Sequence, residues 1–151
     1  MLSRQGKSIR LPPSGIYPRG RLRYEKLISL AQKAVSDDSG AIITYVGLVK
    51  SPGPGGRRVK ELLIETYSEH SGKTLRNICR EAKIKHKLSV ARIYHFEGEF
   101  KVGEPLVIVI AAGRSRQNVF PAVKEMIHRY KTQPAIWKKE VYYDESSQWV
   151  R

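Results

Sequence analysis

Positively charged side chains cluster in the last third of the chain, around one predicted helix and the strand after it. Lys124, His128 and Lys131 recur at i, i+4 and i+7, which places them on one face of a helix. Strand alternation puts Lys138 on one face of the next strand and Lys139 on the other. If Lys131 and Lys138 meet near an arginine, their mutual repulsion lowers a lysine pKa toward neutrality. Such a lysine can act as a general acid or base, and the alternative is a solvated basic face.

Cysteine and metal chemistry find no support in the sequence. Cys79 is the only cysteine, so an internal disulfide and a CxxC site are both excluded. It falls on the apolar stripe of a predicted helix and reads as a small core residue. The four histidines form no HxH or HExxH pattern, and we expect structural or surface roles for His86, His95 and His128. The expectation is therefore an activity with no metal and no cofactor.

Two segments invite a phosphate-binding interpretation. Gly72-Lys73-Thr74 resembles the end of a P-loop, but Tyr67 stands where that motif needs a glycine. Residues 51–58, SPGPGGRR, could wrap a phosphate but lack the strand–loop–helix context. The favoured interpretation of 51–58 is a mobile surface loop.

The charge balance points to an anionic partner. The 151 residues include 28 Lys and Arg against 14 Asp and Glu, a formal net charge of +14. Such a field attracts nucleic acid, an acidic protein or a phosphorylated metabolite. We interpret residues 1–20 as a basic, partly disordered leader and residues 21–151 as one domain. No apolar run approaches the roughly 20 residues of a membrane span, and we expect a cytoplasmic protein.

Periodicity predicts three main helices and a mostly antiparallel sheet, an α+β single domain. Ser71 and Asn118 are the predicted N-caps of the second and third helices. Helices are predicted over 22–36, 72–87 and 119–131, and strands over 41–50, 59–67, 90–96, 106–112 and 136–143.

Residues 131–140, KTQPAIWKKE, form a motif in which a lysine and a turn with proline precede Trp, Lys and a basic residue. Arg116 precedes Lys131 by fifteen residues. Further characteristic segments are GAIITYVGLVK at 40–50, LIETY at 63–67, IYHFEGE at 93–99 and Trp149-Val150. From about residue 22 to the C-terminus, these segments and their spacing together resemble the large, catalytic subunit of molybdopterin synthase.

The resemblance implies an α/β hammerhead-like fold and a sulfurtransferase. Its members convert cyclic pyranopterin monophosphate to molybdopterin, the dithiolene compound of molybdenum cofactor biosynthesis. The sulfur arrives as a thiocarboxylate on the C-terminal Gly-Gly of a small ubiquitin-like subunit. The active unit implied is a homodimer with one small subunit at each end, a heterotetramer. Donated sulfur makes a catalytic cysteine unnecessary.

The resemblance also assigns roles to individual residues. Lys131 holds the thiocarboxylate tail and stabilises charge, and Lys138 transfers a proton and holds the pterin intermediate. Arg116 binds the anionic substrate in the same pocket, which a second protomer completes. Ser115 stands where the family usually has a histidine, and Lys50 where it usually has an arginine. We expect Ser115, Lys50 and Lys139 to join Arg116 in substrate binding.

Two other functions remain open from the sequence alone. A non-catalytic scaffold would dock a ubiquitin-like partner and tolerate loss of both lysines. A nucleic-acid-binding protein would account for the +14 charge, but the sequence has no RRM, KH or helix-turn-helix signature.

Overall fold

The computed structural model describes residues 10–150 of the chain. Within these residues lie three helices and seven strands, and the predicted α+β class is confirmed. None of these helices is both long and apolar enough to cross a membrane. The elements in chain order are β1 (Gly15–Pro18), α1 (Tyr24–Ala34), β2 (Ala41–Leu48), β3 (Val59–Thr66), α2 (Ser68–Lys85), β4 (Leu88–Lys101), β5 (Pro105–Gly113), α3 (Arg116–Thr132), β6 (Ile136–Tyr142) and β7 (Ser147–Val150).

The sheet is organised around β4 and β5. Its strand order is β2-β5-β4-β3-β6-β7, with every neighbouring pair antiparallel, and β1 pairs separately with β4 in parallel. All of β5 after Pro105 is buried, which explains its continuous apolar sequence. The helices α2 and α3 pack against β4 and β5 and supply much of the remaining core.

The structure contains a strand that the sequence did not predict within residues 10–20. Gly15 pairs with Tyr94 and Pro18 with Glu97, so β1 lies alongside β4. Leu11 is buried in the core just before this strand. The segment is short and rich in turn-forming residues, which hides its extended conformation from a periodicity argument. Residues 1–9 of the proposed leader lie outside the described residues.

Both predicted N-caps were wrong. The helix α2 begins at Ser68, and Ser71 is buried inside its first turns. The helix α3 begins at Arg116 after Ser115, so Asn118 is already helical. Helix ends are weakly specified by local sequence, because neighbouring polar residues can cap or extend the helix equally well.

Strand β4 is longer than predicted because it continues through Gly98. That glycine has a φ of +124°, a conformation that side-chain-bearing residues rarely adopt. The chain can therefore bend there and pair next with β3, where Leu62 opposes Phe100. The predicted strand had ended at residue 96, before the turn-rich sequence GEFKVGEP at 98–105. Strand β7 was not predicted either.

The loop at 51–58 contacts the sheet through the side chain of Glu140. Glu140 on β6 is 1% exposed, and its Oε1 accepts hydrogen bonds from the Gly55 N–H at 3.0 Å and the Tyr142 hydroxyl at 3.1 Å. A Cβ on Gly53 would collide with Glu140, so the loop backbone approaches the carboxylate more closely than other residues permit. The loop lies at the surface as predicted, but the sequence did not predict this contact, because the buried partner lies far away in the chain.

Replacing Gly55 with alanine should therefore release this loop. The new Cβ would lie 2.5 Å from both Glu140 Oε1 and the Tyr142 hydroxyl. We expect Gly55→Ala to lower the free energy of unfolding by about 2 kcal/mol, as overpacking does, in a urea titration. Trypsin should also cleave faster at Arg57 and Arg58 in the variant.

Gly15→Ala is the matched control, because a Cβ there meets only ordinary contacts at 3.7 and 3.9 Å. It should change the unfolding free energy by less than about 0.5 kcal/mol. Equal stability and equal cleavage rates in the two variants would contradict the close packing of the loop.

Candidate active site

Lys131 and Lys138 are brought together by a short turn between α3 and β6. Lys131 is exposed in the last turn of α3, and Lys138 is half-buried on β6. The positive charge of Lys131 is close enough to Lys138 to contribute to lowering its pKa. Lys138 shares its strand face with the buried Glu140 and Tyr142, as the alternation predicted.

The turn between the two lysines is fixed by the start of α2. The carbonyl of Ala135 accepts a hydrogen bond from the Ser71 hydroxyl at 2.9 Å and one from the Tyr67 N–H at 3.2 Å. Ser71 has no exposed surface, so its hydroxyl is removed from competing water. These contacts set where β6 begins relative to the end of α3. No local signal identifies this role of Ser71, because its partner lies 64 residues further along the chain.

Beside Lys138 lies a buried, uncharged pair of rings. His95 is 1% exposed, and its Nδ1 lies 3.0 Å from the carbonyl oxygen of Phe96, to which it donates. Burial, followed by the charge of Lys138, lowers the pKa of His95 to about 3, so the imidazole is neutral near pH 7. The Tyr130 ring meets it edge-on, with centroids 5.9 Å apart. The structural role expected for His95 is confirmed.

The same apolar surroundings act on Lys138. Burial is the larger cause of its lowered pKa, and repulsion from Lys131 is the smaller. Sequence reasoning had predicted a lowered lysine pKa from repulsion alone. Desolvation disfavours the charged ammonium, so a larger share of Lys138 is neutral than for a lysine in water. A side chain of this kind can exchange a proton with a bound reactant.

Lys139 and Lys50 are not part of this pair within the chain. The Nζ of Lys139 lies 5.5 Å from the ring centroid of Trp149, on the strand face opposite to Lys138. Lys50 is exposed just after β2. The residue before it, Val49, is fixed by backbone hydrogen bonds with Glu104 and Gly103 at the turn between β4 and β5. The substrate-binding roles of Lys50 and Lys139 stay predictions.

Arg116 and Ser115 lie at the opposite end of α3 from Lys131. A rise of about 1.5 Å per residue separates the Arg116 and Lys131 Cα atoms by about 22 Å along the helix. Arg116 is exposed, and the Ser115 hydroxyl donates to Asn118 Oδ1 at 2.8 Å. One protomer therefore cannot bring Arg116 to Lys131 and Lys138, as a single-chain pocket would require.

No group of three or more His, Cys, Asp and Glu side chains within residues 10–150 is arranged to hold a metal ion. Cys79 is buried, and burial raises the pKa of its thiol to about 11. The thiol is therefore protonated at neutral pH and a poor nucleophile.

Comparison with known proteins identifies the family. The sequence pattern described as MoaE protein matches residues 21–133. This chain belongs to the MoaE protein family. A molybdopterin synthase catalytic subunit of Pyrococcus abyssi is 31% identical over 115 residues, covering 76% of each chain. That of Oryza sativa subsp. indica is 37% identical over 106 residues, covering 70% of this chain and 54% of the longer rice protein.

Solved structures show the same fold. The molybdopterin synthase of Staphylococcus aureus superposes with a TM-score of 0.80 at 23% identity, covering 91% of this chain and 96% of that one. A complex of subunits 1 and 2 of the molybdopterin-converting factor from Helicobacter pylori superposes with a TM-score of 0.70 at 17% identity, covering 95% of this chain and 90% of that one. The resemblance found in the sequence is confirmed, and with it the expectation of an enzyme of molybdopterin biosynthesis.

The neutral, buried state of His95 predicts how stability changes with pH. Because the pKa of His95 is lowered to about 3, the unfolded chain binds a proton that the folded chain does not between about pH 3 and 6.5. Stability therefore falls as the pH drops through this range. His95→Gln should reduce the slope of the unfolding free energy against pH by up to about 1.4 kcal/mol per pH unit, measured by urea unfolding from pH 6.5 to 4.5.

His70→Gln is the control, because His70 is exposed at the start of α2. The unfolding free energy of this variant should depend on pH in the same way as that of the wild type. Parallel curves for wild type and His95→Gln would show that His95 is protonated in the folded protein.

Proposed function

We propose that this chain is the sulfur-transferring subunit of a molybdopterin synthase, with Lys131 and Lys138 at its reaction centre. The acceptor is cyclic pyranopterin monophosphate. The donor is a thiocarboxylate at the C-terminal Gly-Gly of a small ubiquitin-like subunit. The observation that carries the proposal is the neighbouring pair itself, an exposed lysine beside a half-buried lysine of lowered pKa.

The two lysines suit different parts of this reaction. Lys131 is exposed at the end of α3, where its charge can hold the thiocarboxylate tail and stabilise charge as the sulfur attacks. The pKa of Lys138 is lowered, which favours a role in proton transfer, and the same side chain holds the pterin intermediate. The buried thiol of Cys79 supports a sulfur supplied from outside the chain, because it is protonated at neutral pH.

A small partner subunit agrees with both the relatives and the charge. The Helicobacter pylori relative is a complex of two different subunits. This chain carries a net charge of +14, which favours a carboxylate-ended peptide tail and a phosphorylated substrate. We place the reaction in the cytoplasm, where a lone thiol such as Cys79 stays reduced.

We further propose that Arg116 reaches the reaction centre from a second copy of the chain. The length of α3 keeps Arg116 about 22 Å from Lys131 within one protomer, so only a dimer can join them. Ser115 accompanies Arg116 in this arrangement, because the two are adjacent at the start of α3. Lys50 and Lys139 remain proposed contributors to substrate binding.

Single-turnover sulfur transfer tests the roles of the lysines. The chain, the thiocarboxylated small subunit and cyclic pyranopterin monophosphate are mixed, and molybdopterin formation is followed. Lys131→Ala and Lys138→Ala should each slow the reaction at least about a hundredfold, because charge stabilisation and proton transfer contribute on this scale. Lys33→Ala should leave the rate unchanged, since Lys33 is exposed on α1.

Binding of the small subunit is measured alongside, by calorimetry. Full activity in Lys131→Ala would disprove the assignment. If the wild type binds the small subunit but forms no product, the chain is a scaffold.

Mixing two inactive variants tests the shared pocket. Lys131→Ala and Arg116→Ala damage different ends of α3, so a mixed dimer keeps one intact site if the pocket spans two protomers. After the variants are unfolded and refolded together in equal amounts, activity should recover to about one quarter of the wild-type value. Each variant refolded alone is the control. No recovery, with mixed dimers shown to form, would place Arg116 and Lys131 in separate roles.

A further inference from the structure

A second basic cavity lies between α2, the start of β4 and the segment that leads into β1. Its volume is about 290 Å³, close to the lower end of small-molecule sites. Its lining includes neither Lys131 nor Lys138, and it carries four cations together with Ser14 and Cys79. The four cations are Arg76, Arg80, Lys83 and Arg92. We propose that this cavity binds the phosphate chain of an inorganic or nucleoside triphosphate.

The positive charge of the cavity is not neutralised by the protein. Arg76, Arg80 and Lys83 recur at i, i+4 and i+7, so one face of α2 carries all three. The residues that line the cavity include no carboxylate. The ion pairs formed within residues 10–150 involve none of the four cations. Like charges at this spacing destabilise a helix, and a bound polyanion would remove that repulsion.

Two of the arginines are already positioned. Arg92 donates to the carbonyl oxygens of Pro12 at 3.2 Å and Ala91 at 2.9 Å. Arg76 donates to the carbonyl of Ser14 at 3.4 Å. A guanidinium has five N–H donors, so these bonds orient the groups and leave donors for phosphate oxygens. Binding to a group held in place loses less conformational entropy.

The wall opposite α2 is also fixed. The Tyr94 hydroxyl donates to the Pro12 carbonyl at 2.8 Å, and the Tyr17 hydroxyl to the Pro13 carbonyl at 2.6 Å. The Ser14 hydroxyl accepts from the Ile93 N–H at 3.1 Å and donates to the sulfur of Cys79. Pro13 and Ser14 precede residues 21–133, the part that matches the family, so the cavity depends partly on a segment outside the match.

The lining favours the binding of phosphate groups over the binding of a nucleobase. It holds no aromatic side chain on which a nucleobase could stack, and its polar groups are donors spaced along one helix face. Three or four cations match the charge of a triphosphate better than that of a single phosphate. The inference does not rest on the proposed sulfur transfer, because the two sites share no residue.

Calorimetric titration of the full chain with inorganic triphosphate tests the inference. The variant Arg80→Gln/Lys83→Gln removes two exposed cations from the cavity. It should weaken triphosphate binding at least about tenfold, as loss of charge-assisted hydrogen bonds does. The control Lys26→Gln/Lys33→Gln removes the same charge from the exposed side of α1 and should change the affinity less than about twofold. Thermal melting confirms that both variants fold.

Further titrations identify the source of the ligand and the outcomes that would overturn the inference. Equal affinity for triphosphate and ATP would support an inorganic ligand. Tighter binding of ATP than of triphosphate would support a nucleoside triphosphate. Equal weakening by both double variants would show a nonspecific charge effect and overturn the site. Loss of triphosphate binding in Lys131→Ala would place the ligand at the reaction centre instead. Tighter binding of oligouridine than of triphosphate, lost in the cavity variant, would assign the surface to RNA.

Discussion

The long strand β4 is the element on which the other parts of the fold depend. Its first half pairs with β5 on one edge and with β1 on the other, and its last residues pair with β3. The change of partner occurs at Gly98, whose positive φ lets the strand bend without strain. His95 lies just before this bend, so the same strand supplies the buried surface beside Lys138. A break in β4 would separate the two parts of the sheet and expose the site.

The electrostatics of the pair Lys131 and Lys138 follow from this packing. Lys138 is half-buried beside a neutral imidazole and a tyrosine ring, and Lys131 is exposed a few residues earlier. Burial, and then the charge of Lys131, lower the pKa of Lys138, while Lys131 itself is exposed to solvent. The hydrogen bonds of Ala135 with Ser71 and Tyr67 hold the two at this spacing.

The basic residues of the chain serve more than one purpose. Some are paired with acids on the surface, as Arg57 is with Asp144 and Lys60 with Glu145. Others are gathered in the cavity beside α2, whose lining residues include no carboxylate. Cations that are paired with acids add nothing to the net charge of +14, so the attraction for anions comes from the excess cations.

The sequence alone determined the family, the fold class and the lysine pair, because these depend on local patterns. Alternation placed Lys138 and Lys139 on opposite faces of the strand, and the structure confirms it. Tertiary structure decided which residues far apart in the chain meet, since a local pattern carries no information on distant partners. It joins the 51–58 loop to Glu140 and Ser71 to Ala135 by hydrogen bonds, and it pairs β1 with β4. It also separates Arg116 from Lys131, because a rigid helix fixes the distance between its ends.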